Sequence, residues 1–137
     1  MDSRCVYTLG ASVIKPASEE KDLGVSVHES LKSSCQCIEA VKSANKTGLI
    51  SRTFVYKNNV TMLQLYKSLV RPKLEYCIQA WRPYLCKDIE LLEKAQRRAT
   101  RLMFSDKSLG YYDRLRKLGL QLWRRGDFVV ILLKFFF

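Results

Sequence analysis

The sequence predicts a mainly α-helical domain with a small β-hairpin or sheet at its N-terminal end. Three observations carry this reading. Apolar residues alternate with a period of two only before residue 30, at positions 23, 25 and 27. Beyond that point they recur at three and four residues, the period of a helix with one buried face. The chain has 137 residues, enough for a core of its own. Residues 1–28 are expected to be β-rich and residues 29–137 helical, the two together forming one domain.

From the N-terminus, Val6-Tyr7-Thr8-Leu9 and Val13-Ile14 flank Gly10-Ala11-Ser12, which suits a hairpin. A polar stretch at 16–21 leads to Leu23-Gly24-Val25-Ser26-Val27, where alternation predicts a half-buried strand. Two or three such strands make a sheet that must pack on helices to be stable. The first helix starts near Ser33, which stands with Gln36 at capping-box spacing. Its expected stripe is Leu31, Cys35, Ile38 and Val41, and it runs to about Lys46, or to Arg52 with Gly48 inside.

Lys57-Asn58-Asn59 reads as a turn. A second helix begins near Val60 with Met62, Leu65, Tyr66, Leu69 and Val70 as its stripe. Pro72 has no N–H to give and disfavours helix at Arg71, yet the stripe resumes at Leu74, Cys77, Ile78 and Trp81. Two helices meeting at a kink, with Pro72 in the first turn of the second, satisfy both facts. Arg82-Pro83 ends that helix. Asp88 is expected to cap a long helix over 88–104, with Ile89, Leu92, Ala95, Ala99, Leu102 and Met103 on its apolar side. A loop at 105–110 precedes a short helix at 111–118, closed by Gly119 as its C′ residue. The tail from Arg124 reads as a last helix.

The net charge is +11, from 24 Lys/Arg against 13 Asp/Glu. Residues 69–137 hold fifteen of those cations against seven acids, so +8 of the excess lies there. Such a balance suits a polyanionic partner, nucleic acid or an anionic membrane face; a solvated basic surface is the plainer alternative.

Five cysteines stand at 5, 35, 37, 77 and 86, an odd number. No basic segment followed by an apolar one succeeds Met1, as a secretory leader would require. Free thiols in a reducing, intracellular compartment, nuclear or cytoplasmic, are the simplest account. Cys35-Gln36-Cys37 has no second cysteine pair and His28 is the only histidine, so neither a metal nor a cofactor is expected. The run FVVILLKFFF at 128–137 is ten residues long and contains a lysine. A spanning helix needs about twenty residues. No transmembrane segment is expected; the run reads as a core helix, with self-association or membrane attachment as alternatives.

The stretch LYKSLVRPKLEYCIQAWRPY at 65–84, followed by DIELLEKAQRRATRLM at 88–103, resembles a known family. So do EKDLGV at 20–25, RLRKLGL at 114–120 and RGD at 125–127, in that order. The set is similar to the segment after the catalytic palm in reverse transcriptases of non-LTR retrotransposons, the long interspersed elements of jockey or chicken-repeat type. It spans residues 7–134. The resemblance implies that residues 20–25 belong to the end of the palm, at the primer grip. It implies that the helices form a thumb-like bundle beside the template–primer path, so that nucleic acid is the expected partner.

It also implies what is not in these residues. Polymerisation needs paired carboxylates holding two metal ions, which the family supplies in part from a Tyr-x-Asp-Asp turn. Here Asp2, Asp22, Asp88, Asp106, Asp113 and Asp127 are scattered with no adjacent pair. Fingers, palm and endonuclease would lie upstream of this segment. The stretch between Leu120 and Arg124 is shorter than the family's, and the chain ends inside what should be a continuing helix. The expectation is a catalytically incomplete fragment of an RNA-directed DNA polymerase. Independently of the family, no Gly-rich loop opens a helix and nothing orients a cysteine toward His28.

Lys94, Arg97, Arg98 and Arg101 share one helical face, and arginines there offer forked contacts to phosphates. The alternative is an ordinary surface in which Glu90 and Glu93 pair with Lys94 and Arg97 at four-residue spacing. Arg71 and Lys73 flank the kink and are candidate backbone contacts, with a solvated kink as the alternative. Trp81, Tyr76, Tyr84 and Tyr66 could stack bases, although helical spacing puts Trp81 in the core. Of the adjacent Tyr111 and Tyr112, one faces outward. Three functions stay open: weak, sequence-independent binding of nucleic acid; a helical protein-interaction module; and a relic product without selected function.

Overall fold

A computed structural model describes residues 6–53, 58–104 and 107–123, with the side chains of 47–51 left aside. Two antiparallel hairpins come first. Strands β1 (Tyr7–Leu9) and β2 (Ser12–Ile14) pair with Tyr7 opposite Ile14. Their two-residue loop has positive φ at Gly10 alone, as a loop with glycine first requires. Strands β3 (Glu19–Asp22) and β4 (Val25–His28) pair with Glu19 opposite His28. The end of the polar stretch expected merely to lead into a strand is therefore itself strand. Leu23, expected inside one, is in the turn: Leu23 and Gly24 both have positive φ, as a tight two-residue hairpin loop demands. Val25 and Ser26 are buried, while Val27 is exposed.

Helix α1 (Ser34–Ile50) continues into a 3-10 turn at Ser51–Thr53, so Gly48 is carried inside it. The expected stripe is misplaced. Cys37, Ala40 and Ala44 are the buried residues, whereas Leu31 is 80% and Ile38 42% exposed. Cys35 and Val41 are half-buried, and Val41 packs against the core, so the inward face is rotated from the expected one rather than opposite to it. Small side chains face inward because α1 packs closely on α5, and bulk is excluded from that seam. Leu31 precedes the helix in a left-handed conformation. No capping box forms: Gln36 Oε1 instead accepts from Ser26 N at 2.8 Å, which ties β4 to α1.

Asn58 caps α2 (Asn59–Leu65), its Oδ1 accepting from Val60 N at 3.3 Å. The chain then passes through a π turn (Tyr66–Val70) into α3 (Arg71–Glu75). Arg71 N donates to Tyr66 O, five residues back. A proline ring collides with the carbonyl four residues before it; the widened turn just upstream lets the helix proceed through Pro72. The break comes later than expected. Tyr76 and Cys77 leave helical geometry, and Cys77 is left-handed with φ 52° and ψ 28° before α4 (Ile78–Trp81). Trp81 Nε1 donates to the Tyr76 carbonyl at 2.7 Å, satisfying an acceptor that the break exposes. Tyr76 Oη donates to Leu23 O at 2.9 Å, binding the hairpin turn to the same point.

Helix α5 (Cys86–Met103) is preceded by Leu85 at the cap position. Asp88 is thus not the cap. It sits in the first turn, 1% exposed, and accepts from Ser34 Oγ at 2.8 Å. Helix α6 (Tyr111–Leu118) ends at Gly119, as expected. Gly119 N donates to Arg116 O and Leu120 N to Leu115 O, the paired bonds of a Schellman motif, with φ +63° at the glycine.

Two adjoining clusters form the core. One gathers Val25, Cys37, Leu74, Trp81, Leu92 and Trp123; the other Met62, Tyr66, Met103, Leu115, Leu118 and Leu120. Helix α5 contributes to both and lies against α1 on one side and α6 on the other. The architecture is mainly α with small N-terminal hairpins. Among the described residues, no helix is long and apolar enough to cross a membrane. The expected last helix from Arg124, and with it the apolar run 128–137, lies outside the described residues.

Candidate nucleic-acid interface

The outward face of α5 is set by what its inward face must do. Leu92, Ala95, Gln96, Thr100 and Met103 are buried. The residues left on the opposite side are Lys94, Arg97, Arg98 and Arg101, all exposed. The pairing that would make this an ordinary solvated surface does not form: no carboxylate among the described residues pairs with any of the four. Glu93 is turned inward instead. It accepts from the Tyr111 hydroxyl and, at 2.8 Å, from Trp123 N. Its charge is committed to holding α6 and the 119–123 segment on α5.

Arg97 is placed most firmly of the four. Its guanidinium carbon lies 4.7 Å from the centroid of the Tyr111 ring, within cation–π range. Arg114 approaches the same ring at 5.6 Å, and its Nη1 donates to Leu109 O at 2.6 Å. Burial, then the neighbouring Glu93 carboxylate, pushes the Tyr111 hydroxyl above its ordinary value, so it stays a neutral donor. Arg116 and Lys117 extend the exposed positive charge along α6.

The other two candidate cations lie elsewhere. Arg71 is drawn in: its Nε is bonded to Glu75, and the two side chains are only 18% and 6% exposed. A guanidinium bonded through Nε to a buried carboxylate has fewer donors free for a phosphate than the exposed cations of α5. Lys73 is exposed on α3, whose packing partners are α1 and the π turn. Among the aromatic candidates, Trp81 and Tyr66 are core residues at 6% and 2% exposure, and Tyr76 and Tyr84 are exposed. Tyr112 is the outward member of its pair.

Two features escaped the sequence. Gln96 interrupts the apolar stripe of α5, a polar residue four positions after Leu92, and that position is the only signal it gave. Lys46 and Arg52 stand with Arg98 around a cavity of about 250 Å³ between α1, α2 and α5; nothing in the spacing of 46, 52 and 98 connects them.

Among the described residues Cys35, Cys37, Cys77 and Cys86 are free thiols, and no group of three metal-ligating side chains converges. Comparison with family models, with characterised proteins and with solved structures returns no match.

Proposed function

We propose that this chain is a thumb-like segment related to the reverse transcriptases of non-LTR retrotransposons, catalytically incomplete, that binds nucleic acid weakly and without sequence preference. The observation that carries the reading is the α5 face. Lys94, Arg97, Arg98 and Arg101 are exposed on one side of one helix, and the acid spaced to neutralise Arg97 is occupied indoors. Rigid placement on a helix suits contact with successive phosphates, which fixes orientation but reads no bases. The overall charge of +11 supports the same partner. The ordered resemblance along 7–134 supplies the polymerase family, and the scattered aspartates support the loss of catalysis.

The test is fluorescence anisotropy with labelled duplex DNA, single strands and RNA–DNA hybrid across a salt series. Affinity falls with salt at a slope of about −0.9 per phosphate neutralised on duplex DNA, so four contacts give roughly −3.6. Replacing Arg97, Arg98 and Arg101 by Ala flattens that slope by up to about three units. An unchanged slope in the triple variant removes the site. No binding to any of the three nucleic acids at low salt removes the function. Primer extension above a no-protein control, with magnesium or manganese, contradicts the loss of catalysis.

A further inference from the structure

The cavity between α1, α2 and α5 has apolar walls that the phosphate-binding reading does not use, and it shares one cation, Arg98, with the α5 face. Its walls are apolar: Leu65 and Leu69 on one side, Ala99 and Leu102 on the other. Three cations, Lys46, Arg52 and Arg98, stand at its margin, and among the described residues no acid lines it. Two of these walls are open to solvent. Leu69 is 37% and Leu102 50% exposed, although both are large aliphatic residues on well-formed helical turns.

We propose that this groove docks an acidic amphipathic helix of another protein, apolar residues seated against Leu69 and Leu102 and flanking carboxylates meeting Lys46, Arg52 and Arg98. Helix-in-groove recognition takes such a ligand through anchors at i, i+3, i+4 and i+7. Four arguments select this occupant. The three cations without an acid among them demand negative charge. Aliphatic walls offer nothing to a phosphate or a base edge, and among the described residues the one aromatic ring in the lining, Tyr66, is 2% exposed and unavailable for stacking. A second copy of this chain carries +11 and would be repelled from a basic margin. Finally, about 250 Å³ is small for a small-molecule pocket, and the exposure of Leu69 and Leu102 lets the side chains of a helix reach its walls from outside.

The experiment uses the full chain and a fluorescein-labelled, helix-forming peptide of about 14 residues, roughly 21 Å long at 1.5 Å per residue. It carries Leu at i, i+3, i+4 and i+7 and Glu on both flanks; a control peptide has Lys in place of Glu. The Glu peptide should bind at least about tenfold more tightly than the Lys control. Leu69→Gln and Leu102→Gln, both neutral changes at exposed helical positions, should each weaken it about tenfold, while duplex binding by the same variants stays unchanged. Joint Arg52→Glu and Arg98→Glu should reverse the preference toward the Lys peptide. Far-UV circular dichroism of each variant that overlays the parent spectrum shows that the fold is kept.

Equal binding of the two peptides overturns the proposal. So does a Glu peptide insensitive to both leucine changes, since binding would then be to charge alone. Sodium oleate that binds where the peptide does not assigns the groove to a small amphiphile and equally overturns it.

Discussion

Tyr66 Oη donates to Gln96 Oε1 at 3.0 Å, and this bond joins the π turn to the middle of α5 inside the core. The same oxygen accepts from Trp123 Nε1 at 3.0 Å, and Gln96 Nε2 donates to Gln121 O at 2.7 Å. One amide therefore fastens three segments of chain. Gln96→Leu would keep the volume and leave the Tyr66 hydroxyl, the Trp123 indole N–H and the Gln121 carbonyl without this partner. The Tyr66 hydroxyl is buried, and leaving it unsatisfied costs about 1–3 kcal/mol; with the two anchors of the 121–123 segment lost as well, the expected loss is about 2 kcal/mol or more. Tyr66→Phe leaves Gln96 Oε1 still served by Trp123 and should cost only about 1 kcal/mol. Urea unfolding of the two variants checks the ordering; equal losses would contradict a network centred on Gln96.

The parts of the fold that were legible in the sequence are those governed by local chemistry. Gly10 marks a hairpin loop that needs positive φ, Asn58 marks a helix start, and Gly119 a helix end. What was not legible depended on distant partners. The face of α1 is decided by the approach of α5, which selects Cys37, Ala40 and Ala44 over the bulkier Ile38. The break at Cys77 has no Gly or Pro to announce it. Left-handed geometry costs a non-glycine residue roughly 1–2 kcal/mol, and here the Trp81 indole and the Leu23 carbonyl hold the preceding residue in place. The cationic face of α5 was legible because helical spacing alone assembles it. Withdrawal of Arg71 into a pair with Glu75 was not, because spacing does not say which way a pair points.

Ser34 and Asp88 are 54 residues apart in sequence and share a hydrogen bond of 2.8 Å at the start of both long helices. Asp88 is 1% exposed. Ser34→Ala removes a hydrogen bond to a carboxylate that burial keeps from solvent, an interaction of about 1.5–3 kcal/mol. Asp88→Asn, which can still accept from Ser34, should cost less than Asp88→Ala. A double-mutant cycle between positions 34 and 88 should give a coupling energy above about 0.5 kcal/mol; additivity would mean that the bond contributes nothing.

Alkaline pH should destabilise the protein through groups that burial keeps protonated. The Cys37 thiol, fully buried, is pushed by burial and then by the Asp88 carboxylate from about 9 up to about 12. Between those values the unfolded chain has released the proton and the folded chain retains it. Fewer protons on the unfolded state means stability that falls as pH rises, by up to about 1.4 kcal/mol per pH unit for one such group. Burial shifts Tyr66 and Tyr111 upward as well, so their contributions add with the same sign above pH 10. The measurement is the urea midpoint between pH 8 and 10 in the parent and in Cys37→Ala. The variant should lose less stability per pH unit; parallel slopes would show that the thiol ionises freely in the fold.

The four cations of the α5 face should separate when each is judged by stability rather than by binding. Lys94, Arg98 and Arg101 extend into solvent without an ion pair among the described residues. Their replacement by Ala should change unfolding free energy by less than about 0.5 kcal/mol, as for surface positions in general. Arg97 differs because its guanidinium covers the Tyr111 ring, a contact worth about 0.5–1 kcal/mol at a partly exposed site. Arg97→Ala should lose that amount, and Arg97→Lys less of it, since an ammonium keeps the charge but not the stacked plane. In the triple variant used to test phosphate binding, the whole stability loss should therefore equal that of Arg97→Ala alone. A loss well beyond this would mean that Arg98 or Arg101 holds the fold together, and a fall in affinity of that variant could then no longer be assigned to missing phosphate contacts.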